Sequence, residues 1–131
     1  MPYKTKAENV AADLEEKKLK QRLQLVKHLK EKGIFLELFA GKGYLSQVYA
    51  NYASQLILVD ENEDYLREAQ KKLGHIPTRI FCKDNIDFIR EDLPKFQDLV
   101  FVDFDAFGCP AKQIKAFFEV YSMKPKEILV S

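Results

Sequence analysis

The sequence predicts an open α/β sheet, with short parallel strands buried between helices on both faces. Three observations point there. Five short apolar runs recur along the chain at Ile34–Phe39, Leu56–Val59, Arg79–Cys82, Leu99–Val102 and Ile128–Val130, and they are nearly continuous, as strands covered on both sides are. Segments of helical length separate them, which is the pattern of β-α-β units. The chain has 131 residues, 47% hydrophobic and 31% charged, enough apolar material for a single core and too much for a disordered tail, a collagen repeat or a disulfide scaffold.

The first element is helical. From Lys6 to Lys32 there is no Gly or Pro, and Val10, Leu14, Leu19, Leu23, Val26 and Leu29 recur at mostly three-to-five-residue steps among Lys and Glu. That spacing predicts an amphipathic helix stopped by Gly33, so residues 1–33 read as an N-terminal helix packed on a core formed by 34–131. The run Ile34–Phe39 ends in Ala40-Gly41-Lys42-Gly43, a glycine-rich turn, and Tyr44–Ala53 follows as a helix. Leu56–Val59 ends on Asp60 and leads into a helix near Asn62–Leu73. Arg79–Cys82 ends near Asp84, ahead of helical Ile86–Asp92. Leu99–Val102 ends on Asp103, and a loop through Pro110 precedes a helix over Ala111–Tyr121.

Charge and cysteine content exclude several classes. Residues 1–32 hold nine Lys or Arg against five Asp or Glu, and the remainder twelve against fifteen, for an overall net charge of +1. A basic first helix on a mildly acidic body suits either contact with phosphates or a plain solvated face. Cys82 and Cys109 lack metal-ligand spacing, and His28 and His75 lack partners at such spacing, so no metal is expected, and the cysteines read as reduced thiols of a cytoplasmic protein. No apolar stretch approaches the roughly 20 residues of a membrane span, and Met1–Lys20 is too polar for a secretory signal.

Ligands of open α/β sheets bind at the carboxyl ends of the strands. Acids cluster there: Glu37, Asp60, Asp84 and Asp103. A carboxylate accepts two hydrogen bonds and so suits a ribose diol. Asp60 follows Gly41 by 19 residues, close to the offset of roughly 20 expected for a ribose-binding acid in a nucleotide fold. A nicotinamide dinucleotide site would want a third glycine, where this chain has Ser46, and no P-loop lysine-serine pair follows the turn.

The segment Leu36-Glu37-Leu38-Phe39-Ala40-Gly41-Lys42-Gly43 resembles motif I of class I S-adenosylmethionine-dependent methyltransferases, in the Phe-Ala-Gly version common among those acting on nucleic acids. The resemblance implies a Rossmann-like parallel sheet of about five strands in the order 3-2-1-4-5. It places Glu37 near the methionine end of the cofactor, with Phe39, Ala40, Gly41 and Gly43 lining it. Asp60, with Glu61 beside it, would hold the ribose, Asp84 and Asn85 would face the adenine, and Asp103 is a further cofactor-binding candidate. Phe39 departs from the pattern, since many members have glycine there.

Asp103-Phe104-Asp105-Ala106-Phe107-Gly108-Cys109-Pro110 resembles the Asp-x-Asp-Pro-Phe/Tyr-Gly-Ser/Thr-Pro segment of tRNA guanine N2-methyltransferases, with Ala106 in place of proline and Cys109 in place of a small hydroxyl residue. It implies methylation of an exocyclic base amine, in RNA rather than DNA. An exocyclic purine amine is a weak nucleophile, so a carboxylate such as Asp105 would orient it and take its proton, while Phe107 would stack on the base. Asp105 as a loop cap and Phe107 as a core residue are the competing readings. Lys17, Lys18 and Arg22 on the first helix are candidates for phosphate contact. The chain ends where strands six and seven of such enzymes would follow. That leaves the fifth strand as an expected open edge for a homodimer or a partner subunit, and it keeps open a second reading, a cofactor-binding or structural subunit without catalysis. A nicotinamide-dependent oxidoreductase is the third.

Overall fold

The computed structural model describes residues 6–29, 32–96, 98–106, 108–121 and 129–130, and for 6–15 and 129–130 the backbone alone. Elements run in the order α1 (Lys6–Val26), β1 (Ile34–Glu37), α2 (Tyr44–Tyr49), β2 (Gln55–Asp60), α3 (Glu63–Lys72), β3 (Thr78–Cys82), α4 (Asn85–Glu91), β4 (Leu99–Asp103) and α5 (Ala111–Val120), with one 3-10 turn at Leu93–Lys95. The strands form a parallel sheet in the order β3-β2-β1-β4. Leu129–Val130 pairs in parallel with Phe101 and Val102 beyond β4. Ile128, the first residue of the fifth strand expected over 128–130, lies outside the described residues.

Alternation along each strand sorts side chains to two faces. Leu36, Ile57, Val59, Leu99 and Val102 meet Phe88 and Ile89 of α4 and Ala116 and Phe117 of α5. On the opposite face Phe35, Leu56, Leu58 and Phe101 meet Val26 of α1, Tyr49 of α2, and Leu66 and Ala69 of α3. Both faces are dry, which is why the strand sequences read as continuous apolar runs. By the same alternation Glu37 and Asp103 face α1 and α2, and this orientation builds the site.

Three boundaries depart from the sequence expectation. Helix α1 ends at Val26 rather than Lys32; His28 and Leu29 then bond to carbonyls three residues back, and Leu29 packs beside Val26 on the core. Packing of that leucine overrides the helical propensity of the Lys-rich stretch. Gly33 is therefore not a helix stop. A one-residue register shift pairs Ile34 with Leu99 but Phe35 with Phe101, and a Cβ at Gly33 would stand 2.5 Å from Val100 Cγ1. Helix α2 is six residues long rather than ten; the chain leaves it through a turn that buries Ala53, 4% exposed, two residues before β2.

The centre of the α1–α3 face is an aromatic stack. Phe35 and Phe101 lie 4.9 Å apart at 30°, and Tyr49 sits 4.9 Å from Phe101. Phe101→Ala is expected to lower unfolding free energy by about 3–5 kcal/mol in urea titration; a loss under about 1 kcal/mol would show that the stack is not the centre of this core.

Candidate functional site

Strands β1, β2 and β4 each finish on an acid, and the residues beyond them form two adjoining compartments. The first is an open cavity of about 270 Å³. Asp60, Glu61 and Asp84 line it with carboxylates, Leu38 and Phe39 with apolar surface, Asn85 and Gln113 with carboxamides, and Lys83 with one cation. Asp60 Oδ2 accepts the Gly41 N–H at 2.9 Å and Oδ1 accepts the Asn62 N–H at 2.9 Å. These bonds tie the glycine-rich turn to the end of β2. Gly41 and Gly43 take φ of 56° and 87°, a region L side chains avoid. A Cβ at Gly43 would also stand 2.7 Å from Ala69 Cβ, so that glycine lets the turn lie against α3. Ala40 is buried and Phe39 half-buried, on opposite faces of the sheet.

Asp84 caps helix α4: its Oδ1 accepts the N–H groups of Ile86 and Asp87 at 2.8 and 3.1 Å. Lys83 is held by Glu91 at 2.6 Å and Asp92 at 2.7 Å. Those bonds push the lysine up and pull the Asp92 carboxyl down. The one cation among the described residues of the cavity wall is thus already paired, and the other charged groups there are acids.

The second compartment is buried. Register sets Glu37 opposite Asp103, 3% and 2% exposed, so two carboxyl groups sit side by side out of water. Ser46 Oγ donates to Glu37 Oε2 at 2.5 Å, and the Tyr49 hydroxyl donates to Asp103 Oδ2. From α1, Arg22 Nε lies 3.8 Å from Asp103 Oδ2, and its Nη2 lies 3.8 Å from Asp105 Oδ1. Arg22 Nε is buried and makes no hydrogen bond among the described residues. Burial, and then the neighbouring Asp103 carboxylate, push Glu37 well above the usual carboxylate range. Burial also raises Asp103, against the Tyr49 hydrogen bond and the Arg22 charge that lower it. Tyr49 is pushed up by burial and by Asp103.

Asp105 is not a loop cap among the described residues. That task falls to Asp103, whose Oδ1 accepts the Asp105 N–H at 2.7 Å. The Asp105 side chain, 22% exposed, instead takes the Lys18 ammonium at 3.0 Å. Lys18 and Arg22 therefore face acids, and of the three basic residues expected to meet phosphates Lys17 alone points away, exposed. Phe107 lies outside the described residues. Cys82, Cys109, His28 and His75 are exposed, and both cysteines are free.

The structure brings Phe39, Asp60, Glu61, Asp84 and Asn85 to the cavity and Glu37, Asp103 and Asp105 to the acid cluster. Sequence reasoning missed Ser46 and Tyr49 as partners of the buried acids. Their three-residue spacing on α2 was the available signal, since it places both on one helix face. Gln113, from a helix with no recognisable motif, carried no signal.

No family model and no curated protein matches the sequence. Solved structures do match. A SAM-dependent methyltransferase from Agrobacterium tumefaciens is 21% identical over 65% of this chain and 29% of its own, with a TM-score of 0.56. Trm1 from Pyrococcus horikoshii, solved with S-adenosyl-L-methionine, is 18% identical over 78% of this chain and 32% of its own, with a TM-score of 0.62. An rRNA methylase from Streptococcus thermophilus is 13% identical over 76% and 62%, with a TM-score of 0.61. The fold is thus that of Rossmann-like methyltransferases, and the chain spans about a third or less of the first two structures it matches.

Because the Glu37 carboxyl titrates higher in the folded protein than in the unfolded chain, the folded state binds more protons through and above the ordinary carboxylate range. Its contribution to stability therefore falls as pH rises from the unfolded value toward the raised one. Glu37→Gln is expected to remove much of the fall in unfolding free energy that Glu37 imposes on the wild type as pH rises above the ordinary carboxylate range. Parallel slopes for the two proteins in denaturant titrations would contradict this.

Proposed function

We propose that the chain is a methyltransferase domain that binds S-adenosylmethionine in the acidic cavity and methylates an exocyclic base amine in RNA, in the manner of the tRNA guanine N2 enzymes that its own Asp103–Pro110 segment resembles. The observation that carries the cofactor reading is charge. Asp60, Glu61 and Asp84 line a cavity whose lysine is already paired, so a dinucleotide pyrophosphate would enter against like charge, whereas S-adenosylmethionine is a net cation and enters with favourable sign. The donor set fits: Asp60 stands at the turn where a ribose would meet it, and a Cβ at Gly41 would meet nothing within 4 Å, leaving that backbone open to a ligand.

When bound, the cofactor supplies an electrophilic methyl group on a sulfonium. The work left to this chain is alignment and proton uptake. Asp105 would accept a hydrogen bond from the acceptor amine, orient its lone pair and take up the proton the amine loses on methylation. Lys18 must first leave Asp105. A half-exposed ion pair of this kind contributes only about 0–1 kcal/mol, so an incoming amine can displace it. Phe107 is read as the stacking residue, Lys17 as a phosphate contact, and the compartment as the cytoplasm. The same Lys18–Asp105 pair favours the second reading, a cofactor-binding subunit without catalysis, because it occupies the one carboxylate available to an acceptor.

Transfer of labelled methyl from S-adenosylmethionine to bulk RNA separates the two. Asp105→Ala is expected to cut transfer by about 10²–10⁴-fold while cofactor binding persists, and Lys18→Ala to leave transfer equal or faster. Cofactor binding with no transfer by the wild type would favour the subunit, and full turnover by Asp105→Ala would remove that residue from the reaction.

A further inference from the structure

Lys18 and Arg22 of α1 are spent on acids, yet cations do gather beside the glycine-rich turn, which Asp60 ties to the cavity wall. Lys42 Nζ lies over the Tyr65 ring, 5.2 Å from its centre. Lys72 Nζ lies over the Tyr44 ring at 4.7 Å and also donates to the Lys42 carbonyl at 3.1 Å. Tyr65, Lys42, Lys72 and Tyr44 thus make one chain of contacts across the turn, from the start of α3 to the start of α2. Both rings are open to solvent, Tyr44 at 56% and Tyr65 at 40% exposure. A single exposed aromatic is ordinary, but two at one turn, each carrying an ammonium on its face, form a patch. Of the acids on α3, Glu63 is engaged by Arg67 at 2.7 Å and Glu68 reaches Lys72 only at 3.8 Å, while Asp64 is exposed on the first turn. The Lys42 ammonium makes no ion pair among the described residues.

We propose that this patch docks a single-stranded stretch of RNA, with bases stacked on Tyr44 and Tyr65 and phosphates held by Lys42 and Lys72. The proposal rests on the reading of RNA as methyl acceptor and adds to it the surface that holds the strand. Aromatic faces alternating with cations suit a single strand, whose bases are free to stack and whose phosphates follow at each nucleotide. A duplex has its base faces covered and would meet the cations alone. Each ring carries its ammonium on one face, so the other face is left for a base. An exposed cation–π contact is also weak, so the flexible lysine stem can carry its charge from the ring to a phosphate. The cavity beside the patch is lined by Asp60, Glu61 and Asp84, which repel a phosphate. The strand backbone is thereby kept on the rim, outside the nucleoside cavity.

The test is a binding titration and needs no turnover. Fluorescence anisotropy of labelled oligouridylate, free and annealed to oligoadenylate, is measured against the full chain at several salt concentrations. Tyr44→Ser, Tyr65→Ser and Lys42→Gln are compared with the wild type, and thermal melts establish that each is folded. Lys115→Gln, which removes an exposed charge from α5 on the other face of the sheet, is the control. The wild type is expected to bind the single strand more tightly than the duplex. Each tyrosine substitution should weaken single-strand binding by about tenfold. Lys42→Gln should lessen the slope of log affinity against log salt by about 0.7, the share of one phosphate, and Lys115→Gln should change neither. A wild type that binds no single strand, or binds the duplex as tightly, overturns the proposal, as do tyrosine variants with wild-type affinity. Methyl transfer to RNA that survives loss of both tyrosines would overturn the docking surface while leaving the reaction. Tyrosine-dependent binding of the single strand without methyl transfer would leave the docking surface and overturn the reaction.

Discussion

The pairing of β1 with β4 sets Glu37 directly beside Asp103, and most of the architecture around the strand ends answers to that contact. Neighbouring strands lie about 4.8 Å apart, so two carboxyl groups share one dry site where both cannot be charged without compensation. Ser46 and Tyr49 supply hydroxyl donors from successive turns of α2, and Arg22 brings the compensating charge from α1. Helix α1 is thus bound to the carboxyl end of the sheet by charge and to the core by Val26. The serine that stands where a dinucleotide fold would place glycine has a use of its own: it holds the buried glutamate.

The second consequence is polarity. With Glu37 held toward its neutral form, Asp103 compensated by Arg22 and Asp105 engaged by Lys18, the buried compartment is close to balanced. The open cavity beside it is not, since the lysine in its wall is spent on Glu91 and Asp92. Negative charge is therefore concentrated where a nucleoside would lie. That separation favours a cationic nucleoside cofactor over a pyrophosphate. The Lys18–Asp105 pair marks the place where an amine is already welcome.

Much of the fold was legible because buried parallel strands leave an unmistakable mark. Leu56–Val59 and Leu99–Val102 are apolar at every position because α4 and α5 cover one face and α1 to α3 the other. Asp60 was legible from its distance to Gly41, and the two residues do share a hydrogen bond. Side-chain pairing was not legible. Nothing in local pattern says that Lys18, 87 positions from Asp105, and Arg22, 81 positions from Asp103, would turn inward to acids rather than outward to phosphates. Nor could spacing reveal that Asp103 rather than Asp105 holds the loop, or that Gly33 is needed against Val100 rather than at a helix end. Such contacts are set by register and packing between elements, which a single sequence does not display.

The central claim is that the carboxyl end of this sheet holds S-adenosylmethionine, with Asp60 as the anchor of the nucleoside. Calorimetric titration with S-adenosylhomocysteine, run beside NADH and repeated on Asp60→Ala, tests it most directly. The account predicts a Kd on the order of micromolar for S-adenosylhomocysteine, at least about tenfold weaker binding by the folded Asp60 variant, and no binding of NADH. Binding of NADH in preference, or no binding of either ligand by the folded protein, would contradict it.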